Sequence, residues 1–351
     1  HGALSPQQWH AHEMLFGFVC AAIAGFLLTA VPSWTGRRGF AGGPLVLMSG
    51  LWLLGRLLIG SSASWPVALV AAVDLAFLPV LGAFIAWPLF RERNRNTRLL
   101  LVLVVLWLCN AACHLGLWRG DLELARQALL AGVNVALILV TVIGGRITPS
   151  FTATALRRRG IAGTVRAWRG MTAIPVALMV AVTAVDLAMP NGGVAGGVAL
   201  AAAVAQGVRL AQWQGHRTLR DPIVWILHLA YAWLPVGLAL RALALLAGVA
   251  AAAYWLHALT IGALATMILG VMTRVSLGHT GRPLQLRPLV VLAYALLTAG
   301  AVVRVFGAGW AQIGYPAVIL ASAALWTAAF AMFLWVYAPI LLAPRIDGKP
   351  G

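Results

Sequence analysis

Long runs of apolar residues, separated by short polar stretches, cover nearly the whole chain. A helix that crosses a bilayer needs about 20 mainly apolar residues. By that measure the pattern predicts eleven spans, at 12–31, 44–60, 64–89, 97–118, 122–145, 171–190, 192–213, 223–248, 252–277, 287–307 and 312–342. The connections between them are short apart from 146–170. We therefore predict an all-α transmembrane helical bundle that forms a single domain over residues 1–351.

The composition agrees with a membrane protein. Of the 351 residues, 62% are hydrophobic and 9% are charged, whereas a soluble domain is about 25% charged. Such a chain cannot cover a soluble surface, which excludes a soluble enzyme, a disordered chain and a coiled coil. The three cysteines, Cys20, Cys109 and Cys113, all lie in apolar runs. This position argues against a disulfide framework.

The basic residues predict the orientation of the chain. The 25 Lys and Arg residues exceed the 8 Asp and Glu residues and give a net charge of +17. With the 37–43 loop on the cytoplasmic side, most basic residues fall in inner segments, as the positive-inside rule requires. The charge is thus explained by topology, and we do not expect nucleic acid as a partner.

The chain begins at His1 rather than Met, and one further upstream helix would give twelve spans with both termini in the cytoplasm.

Four histidines share one predicted depth near the outer face. His10 and His12 open the first span, His114 lies near the outer end of the fourth, and His257 lies about one turn into the ninth. Ionisable residues inside a membrane are usually functional, and imidazole commonly ligates haem iron and transition metals. Because His12 and His257 lie at equal height on two helices, they are candidate ligands for a haem held between them.

Other roles for the histidines stay open. On a regular helix His10 and His12 point about 200° apart, so that one serves the haem and the other a second metal or a hydrogen bond, unless the first turn is irregular. A lone membrane histidine often only bonds between helices. The candidate metal ligands are His10, His12, His114, His228, His257 and His279.

Three arginines lie inside apolar helices near their predicted outer ends: Arg56, Arg241 and Arg304. Arginine binds carboxylates in a bidentate manner, so these side chains are candidates for binding haem propionates. The alternative is snorkelling to the outer head groups. Asp186 is a candidate partner for one of them. Asp74 is predicted near the midplane, either as a proton-relay group or as a protonated, hydrogen-bonded side chain.

Several familiar motifs are absent from the sequence. It contains no Walker loop, dinucleotide fingerprint, HExxH or CxxCH. Their absence argues against an ATPase, a metalloprotease and a covalently attached c-type haem.

Six longer motifs carry a family resemblance. They are WHAHEMLFGF at 9–18, GFLLTAVP at 25–32, GGRITPSF at 144–151, LHALTIG at 256–262, MTRVSLGHTGR at 272–282 and PRIDGKPG at 344–351. Together they resemble the NnrS family over essentially the whole chain. The resemblance implies a multi-pass protein of the bacterial inner (cytoplasmic) membrane that contains haem b and copper. It also implies a link to denitrification, nitric oxide tolerance and nitrosative stress, and the absence of the family's first helix here.

A weaker architectural similarity to subunit I of haem-copper oxidases concerns the same histidines. It places His12 (or His10) and His257 where those oxidases ligate their low-spin haem, and Arg304 where they bind propionates. The fifth and sixth predicted spans contain no histidine, so the three-histidine copper centre of the oxidases is absent in that form. Copper here would use another set, drawn from His10, His114, Cys113, His228 and His279.

The resemblance predicts a redox or nitric-oxide-binding role. Two axial histidines favour electron transfer, and a vacant haem position favours binding of nitric oxide. The alternative is a membrane transporter or a metal chaperone without redox catalysis. Inverted repeats and broken midplane helices are typical of transporters. The sequence shows no convincing repeat, and its polar residues gather at the outer level.

Overall fold

The computed structural model describes residues 4–161, 165, 168, 170–309 and 314–348. Ten helices in this part of the chain are long and apolar enough to cross a membrane, and one shorter apolar helix accompanies them. Their bounds are α1 Pro6–Thr35, α2 Gly43–Gly60, α3 Val67–Arg91, α4 Arg95–Arg119, α5 Leu122–Arg158, α6 Ile174–Ala188, α7 Gly193–Ala211, α8 Pro222–Ala247, α9 Ala250–His279, α10 Pro288–Phe306 and α11 Tyr315–Leu342. Arg166, Arg169 and Lys349, which belong to the predicted cytoplasmic charge, lie outside the described residues.

The predicted helical bundle is confirmed, since each of the eleven apolar segments coincides with one helix. Helices satisfy every backbone hydrogen bond internally, as a bilayer requires. Large apolar side chains remain exposed on them, among which Trp335 is 79%, Val46 72% and Leu320 70% exposed. These faces contact lipid in the membrane.

The fifth helix is longer than the sequence predicts. The sequence predicts that it ends at residue 145 and leads into a long loop, but α5 continues to Arg158. Residues 146–158 are polar and basic, so an apolar-run criterion does not detect them although they form a regular helix. The expected 146–170 loop is therefore wrong in its first half, and Arg146 and Arg158 lie on a helix.

The sixth helix is shorter than predicted. The expected span 171–190 corresponds to α6, which has 15 residues. At about 1.5 Å per residue, this helix is about 22 Å long, shorter than the hydrocarbon core of about 30 Å.

Three of the described helices contain a π-helical stretch beside a sequence motif. These wider stretches are Glu13–Val19 in α1, Val140–Gly144 in α5 and Ala258–Ala265 in α9. The first begins directly after His12, and the third begins directly after His257. Such stretches are rare and often mark functional sites.

The chain divides into two compact units, His1–Ala136 and Leu137–Gly351, with the boundary inside α5. In the first unit, Leu81, Ile85, Leu89 and Leu106 are completely buried. In the second unit, α8 is the central helix, packed against α7 and α9. Its buried apolar side chains run from Ile223 to Ala242, whereas Val236, Leu243 and Leu246 are exposed. A single domain over 1–351 stays a prediction.

Candidate functional site

A buried polar cluster in the first unit is centred on Asp74 of α3, which is 3% exposed. Oδ2 of Asp74 accepts a hydrogen bond from Nδ2 of Asn110 at 2.7 Å and lies 3.1 Å from Nε2 of His114. Nε2 of His12 lies 3.3 Å from the same oxygen. Arg56 donates to the other carboxylate oxygen, Oδ1. Four helices, α1 to α4, thus converge on one carboxylate.

The imidazole of His12 is surrounded by oxygen atoms and is completely buried. Its Nδ1 lies 3.0 Å from Oε1 of Glu13, and its Nε2 lies 3.1 Å from Oδ1 of Asn110. The amide of Asn110 cannot be reversed, because its Nδ2 donates to Asp74. A neutral imidazole carries a single N–H. One of the two ring nitrogens therefore has no proton to donate to the oxygen beside it. The lone pairs of these two atoms face each other unless a proton or a metal cation lies between them.

The charges of the cluster also require a further positive charge. Nη1 of Arg56 donates to Oε1 of Glu13 at 2.5 Å, so this guanidinium bonds to both Glu13 and Asp74. With neutral imidazoles, two carboxylates and one guanidinium leave one net negative charge. Burial of an unbalanced charge is costly. A proton on one imidazole or a bound metal cation would balance it.

The donor set fits a transition metal. The ligand atoms of His12, Asp74 and His114 all lie within 4.8 Å of one another. The separations of 3.1 and 3.3 Å from Asp74 Oδ2 to the two Nε2 atoms match the edge of about 3.3 Å in a tetrahedral site with bonds of about 2.0 Å. Glu13 occupies the place of the carboxylate that commonly orients a ligating histidine through its other nitrogen.

Local backbone features make room for this cluster. The π-helical stretch of α1 contains Gly17, where an added Cβ would lie 2.9 Å from Nη1 of Arg56. The carbonyl of Gly17 accepts a hydrogen bond from the indole of Trp52 at 2.9 Å. Gly55 faces Asp74, whose Oδ1 would lie 3.6 Å from an added Cβ. Small residues thus let the guanidinium of Arg56 pass between the helices.

The depth of Asp74 differs from the prediction. The sequence places it near the midplane, but α3 begins at Val67, so Asp74 lies about two turns from that end. It contacts His12 near the start of α1 and His114 near the end of α4, whose rings are 5.4 Å apart. His12 and His114 therefore meet at one level, and Asp74 shares that level.

A second group of polar side chains lies in the second unit around His257. The ring of Tyr254 is 6.5 Å from that of His257. The guanidinium of Arg304 lies 5.7 Å from the ring of Tyr254 and 5.4 Å from the ring of Tyr315, to whose hydroxyl it donates at 3.2 Å. Nη1 of Arg304 is buried without a hydrogen-bond partner. His257 and Arg304 thus belong to one aromatic cluster.

The three arginines predicted to bind propionates differ in their partners. Arg241 forms a buried bidentate ion pair with Asp186, which confirms Asp186 as the partner of one of them. Arg56 bonds to Glu13 and Asp74. Among the described residues Arg304 forms no ion pair with a carboxylate. The propionate role stays a prediction for all three, and Arg304 is the member not already engaged by a carboxylate.

A comparison with protein families identifies the chain. The profile of the NnrS protein family matches residues 1–345. This chain belongs to the NnrS family. It is thus a membrane protein of a family linked to nitric oxide responses. No curated protein matches it.

The remaining predicted ligands of this NnrS protein are not members of the described group of His12, Asp74 and His114. His10 is exposed on the regular first turns of α1. In the second unit, Nε2 of His228 bonds to the hydroxyl of Thr152 at 2.7 Å, while its Nδ1 is buried without a partner. His279 is exposed at the end of α9. Their metal roles, and the haem roles of His12 and His257, stay predictions.

The cysteines of this NnrS protein are free and buried, as their apolar surroundings predict. Cys113 precedes His114, but the group of described residues that could hold a metal consists of His12, Asp74 and His114. The sequence offered two isolated acids and scattered histidines. It did not reveal that Asp74 joins His12 and His114, nor that Asn110 and Glu13 orient the ring of His12.

A third buried network in the NnrS chain was also missed. Arg209, only 4% exposed, donates to the carbonyl of Thr141 at 2.8 Å and to the hydroxyl of Tyr231 at 3.1 Å. Tyr231 in turn donates to Gln206 at 2.5 Å. An added Cβ on Gly145 would collide with the guanidinium. The side chain of Arg209, near the end of α7, is therefore buried in the protein beside Gly145 rather than exposed in a loop.

Proposed function

We propose that this NnrS protein is a haem- and copper-containing protein of the bacterial inner membrane that binds nitric oxide or takes part in its redox turnover. Such a role would connect it with denitrification and with tolerance of nitrosative stress. The buried group of His12, Asp74 and His114 carries the proposal. The ligand atoms of two imidazoles and a carboxylate, all within 4.8 Å of one another, form a donor set that could hold one metal ion.

We assign copper to this group. Imidazole nitrogen is a good ligand for copper, and a monovalent cation balances the single negative charge left by Glu13, Asp74 and Arg56. Bound there, copper supplies a one-electron couple. The protein's own part is to fix the proton of His12 on Nδ1, which donates it in a hydrogen bond to Glu13. The unprotonated Nε2 then faces Asp74. Arg56 keeps the site close to neutral.

We assign haem b to the second unit, where His257 would ligate the iron and Arg304 would bind a propionate. Haem supplies an iron that exchanges one electron or binds nitric oxide where an axial position is vacant. Arg304 supports this assignment through its buried, unpartnered Nη1. His12 fits haem less well than copper, because both of its ring nitrogens already face oxygens of the cluster.

The orientation in the membrane follows from charge. Arg91 and Arg158 lie at helix ends that the positive-inside rule assigns to the cytoplasm. The same rule assigns the C-terminal end of α11 to the cytoplasm. We propose a cytoplasmic C-terminus and an outer, periplasmic level for the copper and haem groups.

Copper content tests the copper assignment. Protein purified from native membranes should contain copper, and His114→Gln should lower its copper-to-protein ratio by about tenfold or more, because a ligand is removed. His216→Gln is the control, since it removes an exposed imidazole that is not among the predicted metal ligands. The ratio is measured by elemental mass spectrometry. Wild-type protein without copper, or equal copper in both variants, would show that a proton rather than a metal balances the cluster.

Haem retention tests the role of Arg304. Arg304→Ala should lower the haem-to-protein ratio or shift the haem potential, because a propionate loses a charge-assisted partner in a site of low dielectric constant. Arg119→Ala, an exposed arginine at the predicted outer end of α4, is the control. Absorption spectra and redox titration report both quantities. Unchanged haem in Arg304→Ala would leave snorkelling as the role of this side chain.

A further inference from the structure

A cavity of about 290 Å³ lies in the second unit where three helices meet. The end of α5 and the start of α8 form two walls, and the end of α9 forms the third. All three ends are predicted to lie on the cytoplasmic side. The cavity contains none of the residues assigned above to copper or haem. Its lining includes Phe151 from the GGRITPSF motif and Arg274 from the MTRVSLGHTGR motif. Neither of these two residues has a role in the proposed copper and haem sites.

The lining of the cavity is strongly positive. Four arginines and one acidic residue face it: Arg158, Arg159, Arg220, Arg274 and Asp221. Among the described residues, none of these four guanidiniums forms an ion pair. Like charges around one cavity repel one another. An anion in the cavity would relieve that repulsion.

Two of the guanidiniums are held in position by the protein. The guanidinium of Arg274 lies 3.7 Å from the centre of the Phe151 ring, and its side chain is half-buried. Nη1 of Arg159 donates to the carbonyl of Arg217 at 3.1 Å. Arginines that only mark the cytoplasmic side need neither a shared cavity nor a fixed geometry, as exposed Arg38 illustrates. The arrangement is therefore more specific than a topological signal.

We propose that this cavity binds a phosphate-bearing anion, either the headgroup of an anionic phospholipid or a small soluble phosphate. The planar fork of a guanidinium matches the oxygens of a phosphate. The start of α8 at Pro222 adds the positive end of a 26-residue helix, which favours an anion. Ligand pockets measure about 300–1,000 Å³, so a cavity of this size accepts a single headgroup-sized ion.

The test uses a variant that keeps the fold. Arg158→Gln/Arg220→Gln removes two exposed side chains from the cavity. Arg38→Gln/Arg95→Gln removes two exposed arginines from the same predicted side of the membrane but not from the cavity, and serves as the charge-matched control. Copper and haem contents should stay at wild-type levels in both. This outcome separates the cavity from the proposed metal and haem sites.

Binding is measured with defined probes on purified protein in a non-ionic detergent. Calorimetry with inorganic phosphate reports a soluble ligand, and native mass spectrometry with added phosphatidylglycerol or phosphatidylcholine reports a lipid. We expect saturable binding of phosphate or preferential retention of phosphatidylglycerol. The affinity should fall by about tenfold or more in the cavity variant and stay unchanged in the control. Saturable phosphate binding identifies a soluble ligand, and phosphatidylglycerol retention without it identifies a lipid.

Other results would overturn the proposal. They are binding of neither probe, equal losses in the two double variants, or equal retention of phosphatidylcholine and phosphatidylglycerol without phosphate binding. Arg274→Gln gives an independent check from a different wall of the cavity, after its thermal unfolding shows a folded protein. Full affinity in Arg274→Gln would place the ligand elsewhere.

Discussion

Replacing His257 with alanine should abolish the haem absorption of the purified protein or convert it to a five-coordinate form. The imidazole of His257 is the proposed axial ligand, and Tyr254 links it to Arg304, the proposed propionate partner. His279→Ala is the matched control, because it removes an exposed imidazole from the other end of the same helix, α9. Optical spectra of protein expressed with sufficient haem give the result. Wild-type haem occupancy and coordination in His257→Ala would contradict the assignment.

The corresponding change at His12 separates the two cofactors. His12→Ala should lower copper content and leave haem in place, since both ring nitrogens of His12 face Glu13, Asn110 and Asp74 in the first unit. Loss of haem instead of copper would assign His12 to the axial position that its depth predicts, and would remove it from the copper group.

Replacing Asp74 with asparagine should lower the free energy of unfolding by about 3 kcal/mol. Asp74 accepts hydrogen bonds on both oxygens, from Arg56 at Oδ1 and from Asn110 at Oδ2. An amide has only one acceptor oxygen, so either orientation of the new side chain sets its NH₂ against a donor. Unfolding of metal-stripped protein in mixed micelles measures this effect without a contribution from copper.

A surface ion pair provides the control for that experiment. Glu92 lies 3.0 Å from Arg37, and their side chains are 42% and 29% exposed. Glu92→Gln removes the same charge from an arginine partner but should cost less than about 1 kcal/mol, because exposed pairs contribute little. Equal, small effects of the two changes would mean that the cluster around Asp74 contributes no more to stability than a surface pair.

Hydropathy predicted the helices well because the bilayer requires about 20 mainly apolar residues in every span. It failed where that requirement does not apply. Residues 146–158 leave the apolar region as a polar, basic helix, and this continuation of α5 has no hydropathy signal. The segment 171–190 is mainly apolar, but its helix begins at Ile174 and ends at Ala188, after 15 residues. Composition does not reveal that ending.

The candidate site was only partly predictable. Depth along a helix follows from counting residues, and this is why His12 and His114 could be placed at one level. Which side chains meet also depends on how each helix is rotated and on which helices are neighbours. Neither can be read from the spacing of residues in a single chain. The joining of Asp74 to His12, and the burial of Arg209 beside Gly145, depend on those two quantities.

The π-helical stretch after His12 has an evolutionary consequence. A π-turn holds one more residue than the α-turn it replaces, so deleting one residue within Glu13–Val19 would leave an uninterrupted helix rather than a broken one. The deletion would rotate everything before it by about 100° relative to everything after it. His12 would then leave the cluster while the part of α1 that follows the deletion kept its packing. In a relative, this change would be a single-residue gap inside the first helix. A relative with such a gap would retain the membrane fold and lose the arrangement of His12 with Asp74.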